Sequence, residues 1–216
     1  MNFFEIALIP ARAGSKSILD KNIQKIHGRT LLEIAVTSAV ESQIFNRIFV
    51  SSDSQDMLEI GKTFGASGWL REAEVARDNS TASEVLHDFL DSNSQINEAH
   101  CRISYLQPTS PFRTAEHIKA AKEIADNHVS HSCVSVRRVE DHPYKMVTLS
   151  GNSIAPYYMH QGKSFLTVNR QTMPAIYVTN GAIYMFPIDN FLRTGEFPIV
   201  GSGALVMDGR SSIDID

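Results

Sequence analysis

The chain has 216 residues, of which 43% are hydrophobic and 20% are charged. This composition is that of an ordinary globular domain and excludes a disordered chain or a fibrous repeat. The formal net charge of -4 argues against broad binding to nucleic acid, and no apolar run approaches the roughly 20 residues of a membrane span. The first ten residues also lack a basic leader. We therefore expect a single domain, residues 1–216, in the cytoplasm.

Short apolar runs alternate with amphipathic segments along the chain. Strands are predicted at 5–10, 47–50, 102–106, 134–137 and 182–186. Helices are predicted after Thr30, over 54–64, over 81–90 and over 114–127. Thr81 and Glu84 have the spacing of a capping box, and Gly65 is placed to end a helix. This alternation predicts an α/β fold, with a mostly parallel sheet covered by helices on both faces.

Polar loops follow three of the predicted strands, at 11–22, 51–53 and 107–111. Ligands of such sheets bind at the carboxyl ends of the strands, so we expect the functional site there. The segment 142–170 differs, because it carries scattered aromatic residues and two glycines without a helical period. We interpret this segment, called the arm below, as a hairpin-like excursion that makes dimer contacts.

Charge is distributed unevenly. Between Arg12 and Arg29 five cations accompany one anion, so this segment carries +4 and the remainder -8. A compact positive segment on an acidic protein indicates a small polyanion as ligand, with a solvated charged loop as the alternative. Residues 10–22, the basic loop, have the glycine and cations that can converge on phosphates. They match neither the Walker A pattern nor the Rossmann glycine fingerprint.

Two cysteines, Cys101 and Cys133, lie far apart and lack the paired spacing of a zinc or redox motif. Free cysteine packs as a small hydrophobic residue, so we expect both thiols to be buried.

Eight short motifs follow one another along nearly the whole chain. They are IPARAGSKSILDKN at 9–22, VSSD at 50–53, LREAEVARD at 70–78, LQPTSPFR at 106–113, HPYK at 142–145, RQTMP at 170–174, NGAIY at 180–184 and IDID at 213–216. In this order they resemble the acylneuraminate cytidylyltransferases, the CMP-sialic acid synthetases. The family usually has glycine and proline where Ser17 and Leu19 stand, and proline where Glu72 stands; none of these differences removes a charged ligand.

The resemblance implies a Rossmann-like, nucleotide-diphospho-sugar transferase-like fold whose arm serves dimerisation. It implies transfer of CMP from CTP to the anomeric hydroxyl of a sialic-acid-like 2-keto sugar acid, with Mg²⁺ as cofactor and a homodimer as the assembly. Legionaminate, pseudaminate or an octulosonate such as Kdo or amino-Kdo remain alternative acceptors. A catalytically silent nucleotide-sugar binding module is the alternative from another class, since fold alone does not prove turnover.

The resemblance also implies residue roles. It assigns CTP binding to Arg12, Gly14, Ser15, Lys16, Lys21, Asn22, Arg71, Ser80 and Ser83. Arg12 and Lys21 would hold the triphosphate and offset charge on the leaving pyrophosphate, while Asn22 offers an amide toward the base. It assigns the acceptor to Gln107, Lys145 and Arg170, the two cations meeting the sugar carboxylate. From the residues alone, Ser80 could equally be a helix cap, and the cations could be exposed groups on a hairpin.

Carboxylates near the end of the chain are the predicted metal ligands. Asp214 and Asp216 alternate at i and i+2, which places both on one face of an extended segment. Mg²⁺ prefers one or two carboxylates together with phosphate oxygens and water. Within the resemblance they act with Arg12 and Lys21 as the catalytic set, and Asp53 is a third candidate ligand. Solvent-exposed charges are the alternative. No side chain is assigned as general base, and His142 is interpreted as structural.

Overall fold

The computed structural model describes residues 3–14, 18–72, 75, 80–93, 96, 100–160 and 162–215. The strands of this part of the chain are β1 Phe4–Pro10, β2 Lys25–Ile26, β3 Arg29–Thr30, β4 Arg47–Ser52, β5 Ser67–Leu70, β6 Cys101–Tyr105, β7 Cys133–Arg138, β8 Val147–Ser150, β9 Ser153–Pro156, β10 Met159–His160, β11 Lys163–Ser164, β12 Tyr177–Pro187 and β13 Gly203–Met207. The α-helices are α1 Leu31–Ser42, α2 Gln55–Thr63, α3 Ala82–Ser92, α4 Ala115–Asn127 and α5 Ile188–Thr194.

Seven of these strands form the central sheet, in the order β13-β7-β12-β6-β1-β4-β5. β12 runs antiparallel to β6 and β7, and the other neighbouring pairs are parallel. The carboxyl ends of β1, β4, β6, β7 and β13 therefore meet the amino end of β12 at one edge of the sheet.

The central strand β1 is apolar along its length because both faces of the sheet are covered. Ala7 and Ile9 pack into a core with α1, α2 and α4, whereas Ile6 and Leu8 pack into a second core with α3 and α5. The prediction of a mostly parallel sheet covered on both faces is confirmed.

Local capping signals set the helix starts. Thr81 Oγ1 accepts from the Glu84 N–H at 3.1 Å, and Glu84 Oε2 accepts from the Thr81 N–H at 2.6 Å, which completes the predicted capping box. Thr30 and Thr114 begin their helices in the same way. Gly65, at φ +100°, follows α2 in the left-handed region that glycine adopts without cost. Described helices that are both long and apolar enough to cross a membrane are absent.

Several elements differ from the sequence predictions. β12 begins at Tyr177 and not at Ala182, because a bulge shifts its register between Thr179 and Tyr184 and interrupts the alternation of side chains. The edge strands β5 and β13 and the helix α5 were not predicted. Edge strands are short and half-exposed, so their hydrophobic pattern is weak.

The arm contains the hairpin of β8 and β9, which turns at Gly151, and the short pair β10 and β11. Tyr144 stacks on Tyr158 and Phe165 at centroid distances of 4.7 and 4.6 Å. The aromatic residues that marked this segment in the sequence thus hold the arm together. The ring of His142 accepts from the Tyr144 N–H at 3.2 Å, a contact within the arm that agrees with its interpretation as a structural residue.

Both cysteines are free and buried, as predicted. Burial raises the pKa of the Cys133 thiol to about 11, so this group stays protonated and unreactive at neutral pH.

Candidate active site

Two adjoining cavities open at the edge of the sheet where the carboxyl ends of the parallel strands meet. The first has a volume of about 400 Å³ and the second about 670 Å³. They share two lining residues, Gln107 and Asp214. A ligand in one cavity can therefore touch a ligand in the other at this junction.

The first cavity collects side chains from distant parts of the chain. Those given a role from the sequence are Arg12, Lys21, Asn22, Arg71, Ser80, Gln107 and Asp214. Those without a predicted role are Pro10, Ala82, Val85, Tyr105, Pro108 and Thr109. Three cations thus face one carboxylate in this lining, a balance that favours a polyanionic ligand.

The basic loop is folded against the end of β4. The Ala11 N–H donates to the Ser51 carbonyl and the Ala13 N–H donates to Asp53 Oδ1, each at a distance of 2.8 Å. Asp53, a candidate metal ligand from the sequence, thus holds the loop through one of its oxygens. Ser15 and Lys16, which were assigned to CTP, lie outside the described residues, and Gly14 is exposed at φ +64°.

The end of the basic loop is tied to two other parts of the site. Asn22 is buried, and its Nδ2 donates to the Arg12 carbonyl at 3.0 Å. One amide proton predicted for the base is therefore used to shape the loop. Lys21 Nζ donates to the Ile215 carbonyl at 3.0 Å, which leaves two of its three donor protons for a ligand.

Arg71 is a buried cation in the wall of the first cavity, 5% exposed. One terminal nitrogen donates to the Ser51 carbonyl at 2.8 Å, and Nε has no hydrogen-bond partner among the described residues. Burial lowers the pKa of Arg71. A buried guanidinium of this kind gains from an acceptor brought by a ligand.

The loop 107–111 is held from below by Arg113, which is 2% exposed. One terminal nitrogen of Arg113 donates to the Gln107 carbonyl at 2.8 Å and to the Ala182 carbonyl at 2.9 Å. Burial lowers the pKa of Arg113 to about 9, which still leaves it cationic at neutral pH. Arg113 therefore fixes the position of Gln107 relative to β12.

Gln107 also depends on a glycine. Gly181 sits in the bulge of β12 at φ +77°, and a Cβ there would come within 2.7 Å of Gln107 Oε1. Glycine adopts this backbone conformation without strain, and any side chain here would force Gln107 Oε1 to move. The NGAIY motif was noticed in the sequence, but only the fold brings Gly181 against Gln107.

The C-terminal segment, residues 208–215, carries Asp214 to the junction of the cavities. Asn180 Nδ2 donates to Ser212 Oγ at 2.9 Å, and the Ile215 N–H donates to the Thr109 carbonyl at 2.9 Å. Asp208 accepts from the N–H and the hydroxyl of Ser211, and these bonds lower the pKa of Asp208. Asp216, the partner of Asp214 in the predicted metal site, lies outside the described residues.

Some predicted site residues lie away from the two cavities. Ser83 is half-buried on α3 and does not line either cavity. Lys145 and Arg170 lie on the arm and line a third cavity, of about 450 Å³, with Asp141. Lys145 Nζ donates to the Leu166 and Val168 carbonyls at 2.5 Å each. Within one chain, the arm cations and Gln107 are therefore not brought together.

Clusters of three or more metal-binding side chains are absent among the described residues. Asp214 is the described carboxylate that faces both cavities.

Known proteins are similar to this chain in family, sequence and fold. A family model described as Cytidylyltransferase matches residues 6–193. The N-acylneuraminate cytidylyltransferase of Streptococcus agalactiae serotype V is 34% identical over 213 residues, which are 98% of this chain and 50% of that protein. The chain thus spans about half the length of the first curated relatives it matches. The CMP-N,N'-diacetyllegionaminic acid synthase of Legionella pneumophila subsp. pneumophila is 32% identical over 98% of this chain and 90% of that protein.

Two solved structures share the fold. CMP:2-keto-3-deoxy-manno-octonic acid synthetase, complexed with CTP, has a TM-score of 0.65 at 13% identity and covers 94% of this chain and 89% of that one. A 4-diphosphocytidyl-2C-methyl-D-erythritol synthase has a TM-score of 0.66 at 14% identity and covers 100% of this chain and 94% of that one. At such identities these structures establish the fold alone.

Proposed function

The chain belongs to the cytidylyltransferase family, and on that premise we propose that it transfers CMP from CTP to the anomeric hydroxyl of a sialic-acid-like 2-keto sugar acid. The observation that carries the proposal is the pair of cavities that meet at Gln107 and Asp214. One cavity has the cations that a triphosphate requires, and the other has room for an acceptor beside it.

In the proposed reaction the anomeric oxygen of the acceptor forms a bond to the α-phosphorus of CTP. The bond from that phosphorus to the bridging oxygen breaks, pyrophosphate leaves, and the hydroxyl proton passes to solvent or to a base that is not assigned. Catalysis of this kind depends on positioning and on stabilising developing charge. Arg12 and Lys21 would supply the charge, and Gln107 would position the acceptor at the junction.

Base and ribose are assigned to the part of the first cavity lined by Arg71, Ser80 and Tyr105. Arg71 is buried there, and its Nε lacks a partner among the described residues, so it can donate to a polar group of the nucleotide. Hydrogen bonding to buried polar groups discriminates strongly between ligands, because a wrong ligand leaves these groups unpaired.

Mg²⁺ is part of the proposal. The carboxylate of Asp214 is the hard oxygen donor that this ion prefers, and it lies at the junction where triphosphate oxygens would complete the ligand set. Asp214, with Asp216 by resemblance, would hold the ion. Bound Mg²⁺ neutralises phosphate charge and lowers the pKa of an attacking hydroxyl.

A homodimer and a cytoplasmic location complete the proposal. The exposed apolar side chains of the arm hairpin, Leu149, Ile154 and Tyr157 among them, support a role in subunit contact. In such a dimer the arm would bring its cations to the acceptor site of the partner subunit.

The acceptor is the finer part of the proposal. An N-acylneuraminate is supported by the Streptococcus relative, and a legionaminate by the Legionella relative, of which the chain covers 90%. Purified protein with CTP and Mg²⁺ should therefore be given N-acetylneuraminic, N,N'-diacetyllegionaminic, pseudaminic and octulosonic acids, with released pyrophosphate measured.

We expect one nonulosonic acid to be used at least tenfold better than the octulosonic acids, and CTP to be preferred over UTP and ATP. Binding of CTP without pyrophosphate release from any acid would favour the silent binding module. Equal use of all nucleotides would contradict the assignment of Arg71 to the base.

A further inference from the structure

The second cavity has an unusual charge balance for a site that would receive an acid. Its described lining carries two carboxylates, Glu140 and Asp214, and one cation, Arg137. A negatively charged acceptor entering this cavity would be repelled by Glu140, and by Asp214 wherever Mg²⁺ did not neutralise it, unless a cation faced the acceptor. Arg137 is the cation that the described chain offers at this place.

The side chain of Arg137 is also available to bind a ligand. It is exposed near the end of β7, and its side chain makes no ion pair or hydrogen bond with the described residues. The other arginines of the site are engaged, since Arg71 donates to the Ser51 carbonyl and Arg113 donates to two carbonyls. A long side chain without a partner beside a cavity can turn toward a ligand at little cost.

The position of Arg137 suits the acceptor and not the nucleotide. Arg137 lines the second cavity and not the first, whereas Asp214 lines both. In a 2-keto sugar acid the anomeric carbon carries both the reacting hydroxyl and the carboxylate. With the hydroxyl at the junction and CTP filling the first cavity, the second cavity is the space left for the carboxylate.

The arm cations do not replace Arg137 within one chain. Two of the three donor protons of Lys145 are spent on the Leu166 and Val168 carbonyls, and Arg170 lies 3.3 Å from Asp141. Neither residue lines the second cavity.

We propose that Arg137 binds the carboxylate of the acceptor and, beside the arm cations of the partner subunit in the proposed dimer, contributes to the preference for an acid. Guanidinium and carboxylate match as a planar, charge-assisted pair. This inference rests on the proposed function, because it takes a 2-keto sugar acid as the acceptor. It adds a residue from the same chain as the rest of the site, outside the eight motifs quoted above.

The test compares Arg137→Gln and Arg137→Lys with the wild type and with Arg138→Gln. Arg138 is the next residue on β7; it lines a further cavity together with Arg137 but does not line the second cavity. With N-acetylneuraminic acid and N,N'-diacetyllegionaminic acid as probes, we expect Arg137→Gln to raise the KM for the acid roughly 10- to 100-fold. The KM for CTP should change less than threefold. Arg137→Lys should be intermediate and Arg138→Gln unchanged.

A second readout uses the carboxamide of each acid as a competitive inhibitor. Wild type should prefer the acid over the amide, and Arg137→Gln should lose most of that preference, which a merely structural role would not cause. An unchanged preference in an active Arg137→Gln variant overturns the inference and leaves the proposed function standing. Absence of pyrophosphate release by the wild type with every acid overturns both.

Discussion

Charged side chains are concentrated at both ends of the central sheet, and the two groups are arranged differently. At the amino ends, Arg102 is fully buried and contacts Glu5 at 2.5 Å and Asp126 at 2.6 Å. Lys122 contacts Asp126 at 2.6 Å. At the carboxyl ends, Arg71 and Lys21 donate to backbone carbonyls, and Arg137 has no carboxylate partner in the described chain.

Charged side chains at the amino ends of the sheet stabilise the fold, whereas those at the carboxyl ends are placed to bind a ligand. At the amino ends each cation meets a carboxylate of the same chain, so the cluster is complete without a ligand. At the carboxyl ends Arg71 and Lys21 donate to carbonyls and Arg137 makes no ion pair with the described residues, so the charge of these three side chains is available to a polyanion. A substitution at the first place should therefore change stability, and one at the second should change catalysis.

Arg102→Ala should have the largest effect. It would leave the buried carboxylate of Glu5 with Lys122 Nζ, 3.8 Å away, as its remaining cation among the described residues, and losing one partner of a buried pair costs about 3–5 kcal/mol. The free energy of unfolding, measured in urea, should fall by this amount, while the protein that remains folded should bind CTP as before.

pH and a double variant sharpen this prediction. Burial raises the pKa of Glu5 despite the contact with Arg102, and removing the cation should raise it further. When folding raises the pKa of a carboxyl group, the protein becomes less stable as pH rises. The destabilisation caused by Arg102→Ala should therefore be smaller in mildly acidic buffer than in mildly alkaline buffer. The double variant Glu5→Gln with Arg102→Met should be more stable than Arg102→Ala alone. A larger loss in acid would contradict the assignment to Glu5.

Lys21→Ala should show the opposite pattern. If Lys21 stabilises charge on the leaving pyrophosphate, its loss raises the activation barrier by roughly 2 to 4 kcal/mol. The effect on the midpoint of thermal unfolding should be small, since one hydrogen bond to the Ile215 carbonyl is lost. Lys25→Ala is the matched control, because Lys25 is an exposed cation of the same segment that lines neither cavity. A rate within threefold of wild type would remove Lys21 from the site.

The sequence predicted those parts of the fold that depend on neighbouring residues. The capping box of Thr81 needs only the residue three positions on, and the buried strand β1 is visible as a short apolar run. The start of β12 was missed because the bulge at Gly181 depends on pairing with β7, a distant part of the chain. Asn180 and Ser135, which are hydrogen-bonded across this pair of strands, are 45 residues apart in sequence.

The site residues that were missed also depend on contacts between distant parts of the chain. The resemblance carried by the eight motifs pointed to Lys21, Arg71 and Gln107, which the fold brings to one cavity. Tyr105 was missed because it lies within an apolar strand pattern, and Arg113 because its role is to hold two carbonyls that are distant in sequence. An arginine directly after a loop with two prolines was the available signal for Arg113.

Gly181→Ala should have a smaller effect than Lys21→Ala and should act through Gln107. The new Cβ would push Gln107 Oε1 away from the junction, and displacement of a positioning group lowers kcat/KM by about 10- to 100-fold. Gly195→Ala separates this effect from backbone strain, because Gly195 also has a positive φ, of +69°, but no heavy atom within 4 Å of the added Cβ. Both variants should lose stability, measured by thermal unfolding, and only Gly181→Ala should lose activity. Equal activities would show that Gln107 adapts.

The smallest effect is expected for Tyr105→Phe. Tyr105 is 3% exposed and lines the first cavity, and its hydroxyl makes no hydrogen bond with the described residues. Burial raises the pKa of Tyr105, so the hydroxyl stays protonated and can donate to the nucleotide. Removing one such bond should weaken CTP binding by about 0.5–1.5 kcal/mol, measured by calorimetry.

Tyr184 provides the control for Tyr105. The two residues are directly paired on β6 and β12, and both rings contact Phe197, but Tyr184 lines the second cavity and not the first. Tyr184→Phe should therefore leave CTP affinity unchanged and affect only the acceptor. If instead both variants weaken CTP binding equally, Tyr105 does not donate to the nucleotide, and the change is transmitted through the strand pairing or the ring contact with Phe197 that the two residues share.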